Sequence, residues 1–235
     1  MICFHGTPFS GTVYDILPFF KDRNFLISMQ YPQYGFVVKK EAARIILDNG
    51  AYTIWKKGKG CIDISKYTDF VKEYDYLDNY SWCFIPDTIE GTVSQNDKQI
   101  ETWLNLYGNY KSVPVWHYHE PLERLYQLSL EFPVVALGSS AEYSKIGDYK
   151  WMERTKEIFN YASTNFPKCK LHGLRMLNKR IFTLFPYYSG DSTNVGRNIE
   201  FYRRRHRIPT RLLAAEQLAN SFEKYKSTFN YEEID

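Results

Sequence analysis

The chain has few cysteines, and none are spaced for chemistry. Cys3, Cys61, Cys83 and Cys169 stand alone, with no CxxC pair and no close cluster. That argues against a disulfide framework and against a cysteine zinc site, and makes reduced thiols in a cytoplasm the default expectation. No apolar run approaches the roughly 18 residues that span a bilayer. The first six residues carry no basic stretch ahead of an apolar one, so no signal peptide is expected either. Internal repeats and low-complexity tracts are absent. So are a GxGxxG after a first strand and a nucleotide-triphosphate loop, which argues against a doubly wound dinucleotide fold. Charge of one sign is missing too: 30 Lys+Arg face 27 Asp+Glu, a formal net charge of +3. The whole-chain balance therefore implies no polyanionic partner.

What is present is a globular composition, 44% hydrophobic and 24% charged over 235 residues. That length can build one sizeable core, read here as a single domain over residues 1–235. Aromatics reach 17%, with 20 Tyr, which suits half-buried clefts and interfaces. Short apolar runs at 2–5, 25–31, 44–48, 81–87, 112–119, 134–139, 170–177 and 187–193 read as strands. Helical patterns read at 63–79, 94–106, 121–131, 149–162 and 209–228. In the first of these Ile64, Tyr67, Phe70, Val71 and Tyr74 share one face. Apolar strands alternating with helices through the second half argue for a parallel sheet. About eight such units predict an α/β fold, a compact (β/α)8 TIM-like barrel. Helices are sparse before residue 60, so the N-terminal half is expected to be irregular.

In such a barrel the reactive groups sit at the C-terminal strand ends. Several predicted strands end in them: Asp48-Asn49-Gly50, Pro86-Asp87, His117 with His119 and Glu120, Gly138-Ser139-Ser140, His172-Gly173 and Gly190-Asp191-Ser192. Each has a plainer reading. Asp48-Asn49-Gly50 is also an Asx-turn sequence, Asp87 also a loop cap, and His172 a satisfied core histidine before it is a base. Gly138-Ser139-Ser140 is either tight packing or a backbone edge offered to a planar ligand. His117 and His119 have the period-two spacing of a metal pair, but no third ligand stands at a clear spacing, and no metal is expected. Asp191, among small polar residues, is placed as a nucleophile or base.

Local charge is less even than global charge. Residues 196–211 hold Arg197, Arg203, Arg204, Arg205, Arg207 and Arg211 against one acid, Glu200, with Phe201, Tyr202 and His206 interleaved. Arginines among aromatics hold phosphates and stack on bases; the plainer reading is a solvated helix face with Arg–Glu pairs. Lys56, Lys57 and Lys59 make a second, smaller basic patch.

Taken in order, Leu47-Asp48-Asn49-Gly50-Ala51-Tyr52, Ile85-Pro86-Asp87, Pro114-Val115-Trp116-His117, Ala136-Leu137-Gly138-Ser139-Ser140, Lys170-Leu171-His172-Gly173-Leu174 and Gly190-Asp191-Ser192-Thr193-Asn194 resemble the tRNA-guanine transglycosylase superfamily. The likeness is nearer to its short phage and bacterial branch, which installs 7-deazaguanines in DNA, and covers residues 44–198. It implies a (β/α)8 barrel that exchanges a guanine in a polynucleotide for a free 7-deazaguanine base, with no organic cofactor. It implies Asp191 as nucleophile and Asp48 as general base, Asp87 as the carboxylate that reads the guanine edge, and Gly138 and Ser139 as a backbone edge against the base. His117 and His172 are counted with the base-binding residues, and Arg197, Arg203, Arg204, Arg205 and Arg207 with those that hold nucleic acid. The family's three-cysteine, one-histidine zinc site has no counterpart here, which favours DNA over tRNA. A helper protein that presents DNA is allowed for, since the chain has no ATP-binding loop of its own. The alternatives are a hydrolase that only releases a base or splits a nucleoside, and a nucleic-acid-binding paralogue without catalysis.

Overall fold

The computed structural model describes residues 1–58, 61–166 and 168–224. Its centre is one sheet of nine parallel strands, in the order β5-β4-β3-β2-β1-β9-β8-β7-β6. The strands are β1 (Ile2–Gly6), β2 (Asn24–Ser28), β3 (Arg44–Asp48), β4 (Tyr80–Phe84), β5 (Ser112–Val113), β6 (Val115–His117), β7 (Val134–Gly138), β8 (Lys170–Gly173) and β9 (Ser189–Ser192). The two ends of that order, β5 and β6, are separated in sequence by Pro114 alone. Proline has no N–H to give a ladder, yet its carbonyl accepts from Ala136 N–H at 2.9 Å. The sheet is therefore a nearly closed, TIM-like barrel.

Between strands the chain forms α1 (Gly35–Glu41), α2 (Ala51–Lys56), α3 (Ile64–Lys72), α4 (Val93–Leu106), α5 (Leu122–Glu131) and α6 (Tyr149–Asn165), and after β9 it forms α7 (Asn194–Arg205) and α8 (Arg211–Glu223). The early connections are the irregular ones: β1 and β2 are joined by 3-10 turns over Val13–Phe20, and α1 and α2 have only seven and six residues. From α4 onward the helices are longer, and α4, α6 and α8 carry side-chain N-caps. Thr92 and Gln95 form a reciprocal capping box on α4, and Asp148 accepts from Trp151 N–H on α6.

The strand pattern sorts two cores. Inward residues Phe4, Leu26, Ile46, Trp82, Phe84, Val113, Val115, Val134 and Ala136 fill the lumen. Outward neighbours such as Phe25, Ile27, Ile45, Leu47, Val135 and Leu137 pack under the helices. Alternation at period two is what sends successive residues to opposite faces.

Several sequence readings change in detail. The run 44–48 is a strand over the same residues, but several strands are shorter than their apolar runs: 25–31 gives way to a turn after Ser28, 81–87 ends at Phe84, and 112–119 breaks at Pro114 and ends at His117. The helical reading 63–79 stops at Lys72, and of 209–228 the residues after 224 lie outside those described, as does Lys59. Helices α1 and α2 have no counterpart among the helical patterns of the sequence, and α7 matches only the solvated-helix-face reading of residues 196–211. The expected alternation in the second half fails between β8 and β9, where residues 174–188 make turns but no helix.

Candidate active site

A cavity of about 410 Å³ opens at the C-terminal end of the barrel, within the usual range of about 300–1,000 Å³ for small-molecule sites. Asp48, Asp87, His117, Gly138, Ser139, Asp191 and Arg197 all line it, so most of the residues singled out in the sequence converge there. Leu26, Phe84, Ile89, Val115 and Leu174 give it apolar walls.

Asp48 closes β3 and starts the turn into α2. Its Oδ2 accepts from Gly50 N–H at 3.2 Å, and Asn49 Oδ1 accepts from Ala51 N–H at 2.8 Å. These are the Asx turns the sequence allowed for, and Gly50 supplies the φ of +80° that the turn requires. The turn and the site are thus one device, aiming the carboxyl inward. Burial pushes the Asp48 carboxyl up to about 7; a hydrogen bond from Ser28 opposes this, and the charges of Asp191 and Asp87 add to it. An acid held near 7 can both give and take a proton at neutral pH.

Asp87 follows β4. Its Oδ1 accepts from Asn49 Nδ2 at 2.9 Å, and the same amide donates to Ile85 O at 2.8 Å. Asn49, which the sequence shows only as a turn residue, therefore holds the two acidic loops together. His117 Nε2 lies 3.0 Å from Asp87 Oδ2, off line for a hydrogen bond. Both ring nitrogens of His117 are buried without a hydrogen-bond partner among the described residues, which is costly unless a ligand or water supplies one. Gly138 is what gives the ring room: a Cβ there would stand 2.9 Å from His117 Nδ1.

His119 does not join His117 on a metal. It leaves the strand, and its nitrogens meet Ser140 Oγ at 2.7 Å and Gly91 O at 3.3 Å. Among the described residues no group of three or more His, Cys, Asp or Glu is arranged for a metal ion. Glu120 is buried and structural, accepting from Asn96 and from Arg124 and bracing His117 N–H at 3.1 Å. Ser139 lines the cavity, but its hydroxyl accepts from Trp151 Nε1 at 2.9 Å, and Gly138 O is used by Tyr118 N–H.

Asp191 comes up on β9, 5% exposed. Its Oδ1 takes His172 Nε2 at 3.2 Å and Arg175 N–H at 3.0 Å. Both bonds fall on Oδ1 of a side chain that lines the cavity. His172 does not line the cavity. It lies beneath, in the lumen against Phe84, with Nδ1 at 2.7 Å from Ser189 Oγ. The core-histidine reading and the site reading merge: a buried imidazole that positions Asp191.

The basic residues divide. Arg197, in the first turn of α7, is at the mouth with Lys56, Lys57 and Arg175. Arg203 begins nine residues after Asn194, about 14 Å along the helix at 1.5 Å per residue. Arg203, Arg204, Arg205 and Arg207 line neither the cavity nor its rim, and Arg203 and Arg204 pair with Glu200 at 2.8 and 2.7 Å. Arg175 is the residue that sequence reasoning missed. It sits at φ +61° with its guanidinium 3.7 Å from the Tyr52 ring centre. The signal available was its position just past the Gly173 strand end; nothing in the chain announces its backbone angle.

No family model matches this chain, and no curated protein matches it.

Proposed function

We propose that this chain is a base-exchange transglycosylase that replaces guanine in DNA with a free 7-deazaguanine through a covalent Asp191 glycosyl intermediate. The observation that carries the reading is the pairing of Asp191 on β9 with Asp48 on β3 at one cavity, the second held near 7 and the first held at Oδ1 by His172 and Arg175. Two carboxyl groups with separated roles are the pattern of a retaining glycosyl transfer. A binding module has no use for it.

The chemistry balances over these residues. Asp191 Oδ2 attacks C1′ as the C1′–N9 bond breaks, and the departing electron pair on the base takes the proton that Asp48 carries. The incoming base then returns a proton to Asp48 from N9 and attacks C1′, which frees Asp191. Asp87 faces the N1–H and 2-amino edge of guanine, two donors for one carboxylate. His117 lines the cavity beside Asp87 and is assigned to the same base-binding wall. The base must leave its stack to reach the cavity, so single-stranded or flipped-out DNA is the substrate form. Counting β5 and β6 as one strand interrupted at Pro114 makes the barrel a (β/α)8 variant, with the site at the strand ends that fold uses for catalysis.

The test is exchange of labelled guanine into duplex DNA, single-stranded DNA and tRNA. Label in DNA that Asp191→Asn abolishes is the expected result. Full exchange by that variant removes Asp191 as nucleophile. Release of free base without incorporation makes the chain a hydrolase, and neither release nor label from any polymer overturns the enzyme reading.

A further inference from the structure

Beside the cavity lies a second depression whose lining, among the described residues, holds Arg175, Lys179, Arg180 and Arg197 without an acid, with Asn178, Asn194 and Asn198 between them. It shares Arg175, Thr193 and Arg197 with the cavity, so the two are continuous. One side of it comes from the end of β9 and the first turns of α7, and another from the helix-free crossover 174–188. Met176, Leu177, Ile181 and Phe182 of that segment are buried, which leaves Arg175, Asn178 and Arg180 outward. Leu177 N–H donates to Asp191 O at 3.1 Å. The basic surface is therefore tied to the strand that carries the reactive carboxylate, and Lys179 is steadied over the Phe222 ring of α8 at 5.1 Å.

We infer that this groove seats the phosphate backbone of the strand next to the reacting nucleotide, a reading that rests on the proposed function. A base in the cavity leaves its own flanking phosphates at the shared rim, where Arg175 and Arg197 stand. The adjoining phosphates then meet Lys179 and Arg180, with the Asn178 and Asn194 amides as neutral donors; Asn198 spends its own amide N–H groups on Asn194. No base edge is read there, so the groove grips polynucleotide without regard to sequence. The arginines most visible in the sequence, 203–207, are not part of this track.

The experiment measures binding of a fluorescent single-stranded oligodeoxynucleotide to the full chain across a salt series. Lys179→Ala with Arg180→Ala is expected to weaken binding about tenfold. The same pair is expected to lower the slope of log affinity against log salt by about 1.4, since each phosphate no longer neutralised takes away roughly 0.7. Arg180→Lys is expected to keep most of the affinity, which separates a missing charge from a damaged fold. Arg204→Ala with Arg205→Ala is expected to change affinity by less than twofold. The reverse ranking, or no binding by the unaltered chain at low salt, overturns the groove. Base exchange followed in parallel keeps the two readings apart. Exchange with unaltered binding in the groove variant removes the groove alone. Groove-dependent binding without exchange removes the transglycosylase alone.

Discussion

The two halves of the barrel lumen are built from the same strands and do opposite things. Low in the barrel the inward positions are Phe4, Leu26, Ile46, Val115 and Ala136, all buried hydrocarbon. Two residues further along each strand, the inward positions become Gly6, Ser28, Asp48, His117 and Gly138. One period of the β repeat separates a packed plug from a polar cavity. The plug gives the carboxyl groups a rigid, low-dielectric floor, and the cavity supplies partners that such a floor cannot. His172 is the one imidazole that crosses the boundary, packed against Phe4 and Trp82 of the plug and bonded to Asp191.

The sharpest way to break that contrast is at its top. Asp191→Asn keeps the shape and keeps an oxygen for the Arg175 N–H, but removes the proposed nucleophile. Exchange is expected to fall on the order of 10⁴-fold, as when a group that forms the covalent intermediate is removed, while thermal unfolding moves little. Equal losses of stability and activity would show that Asp191 is structural. Next in size is the plug. Phe4 is fully buried and meets the Trp82 ring edge-on at 5.4 Å. Phe4→Ala is expected to cost about 3–5 kcal/mol in urea unfolding, and to loosen the floor beneath His172.

A smaller effect tests the seam itself. At Gly138 an added Cβ would lie 2.9 Å from His117 Nδ1 and 3.2 Å from Val115 Cγ1. Gly138→Ala must push the imidazole toward the cavity, at about 1–3 kcal/mol of overpacking. Affinity for free base is expected to fall about tenfold with the maximal exchange rate less affected. A change confined to the maximal rate would place His117 outside base binding.

How much of this could be read from the chain follows the same division. The plug was legible because apolar runs between turn residues are a direct print of inward and outward packing. The acidic ends were legible because Asp48, Asp87 and Asp191 each follow such a run at its C-terminal end. What escaped depended on geometry that no residue type encodes. Arg175 enters through a left-handed backbone angle, and Asn49 matters because of the loop it reaches across to. Residues 174–188 pack Ile181, Phe182 and Phe185 without forming the helix that alternation implies. The arginines at 203–207 stand apart from the cavity, and Arg203 and Arg204 pair with Glu200 as the plainer reading of that segment has it. Density of charge in sequence says nothing about which end of a helix meets the mouth.

The gentlest probe of the comparison is pH. Asp48 is raised from 3.8 to about 7, mainly because the lumen floor and walls strip it of water. In the window between those values the folded chain keeps a proton that the unfolded chain releases. Stability from this group is therefore complete below about pH 4 and is lost as pH rises toward 7, with a slope no steeper than about 1.4 kcal/mol per pH unit for one proton. Asp48→Asn has no such proton. The difference in unfolding free energy between the native chain and the variant is expected to fall as pH rises from about 4 to 7 and then to level off. Exchange by the native chain is expected to decline above about pH 7, as the proton for the departing base is lost. A stability difference flat across that window would mean that water reaches Asp48 freely, and that the polar half of the lumen is solvent rather than site.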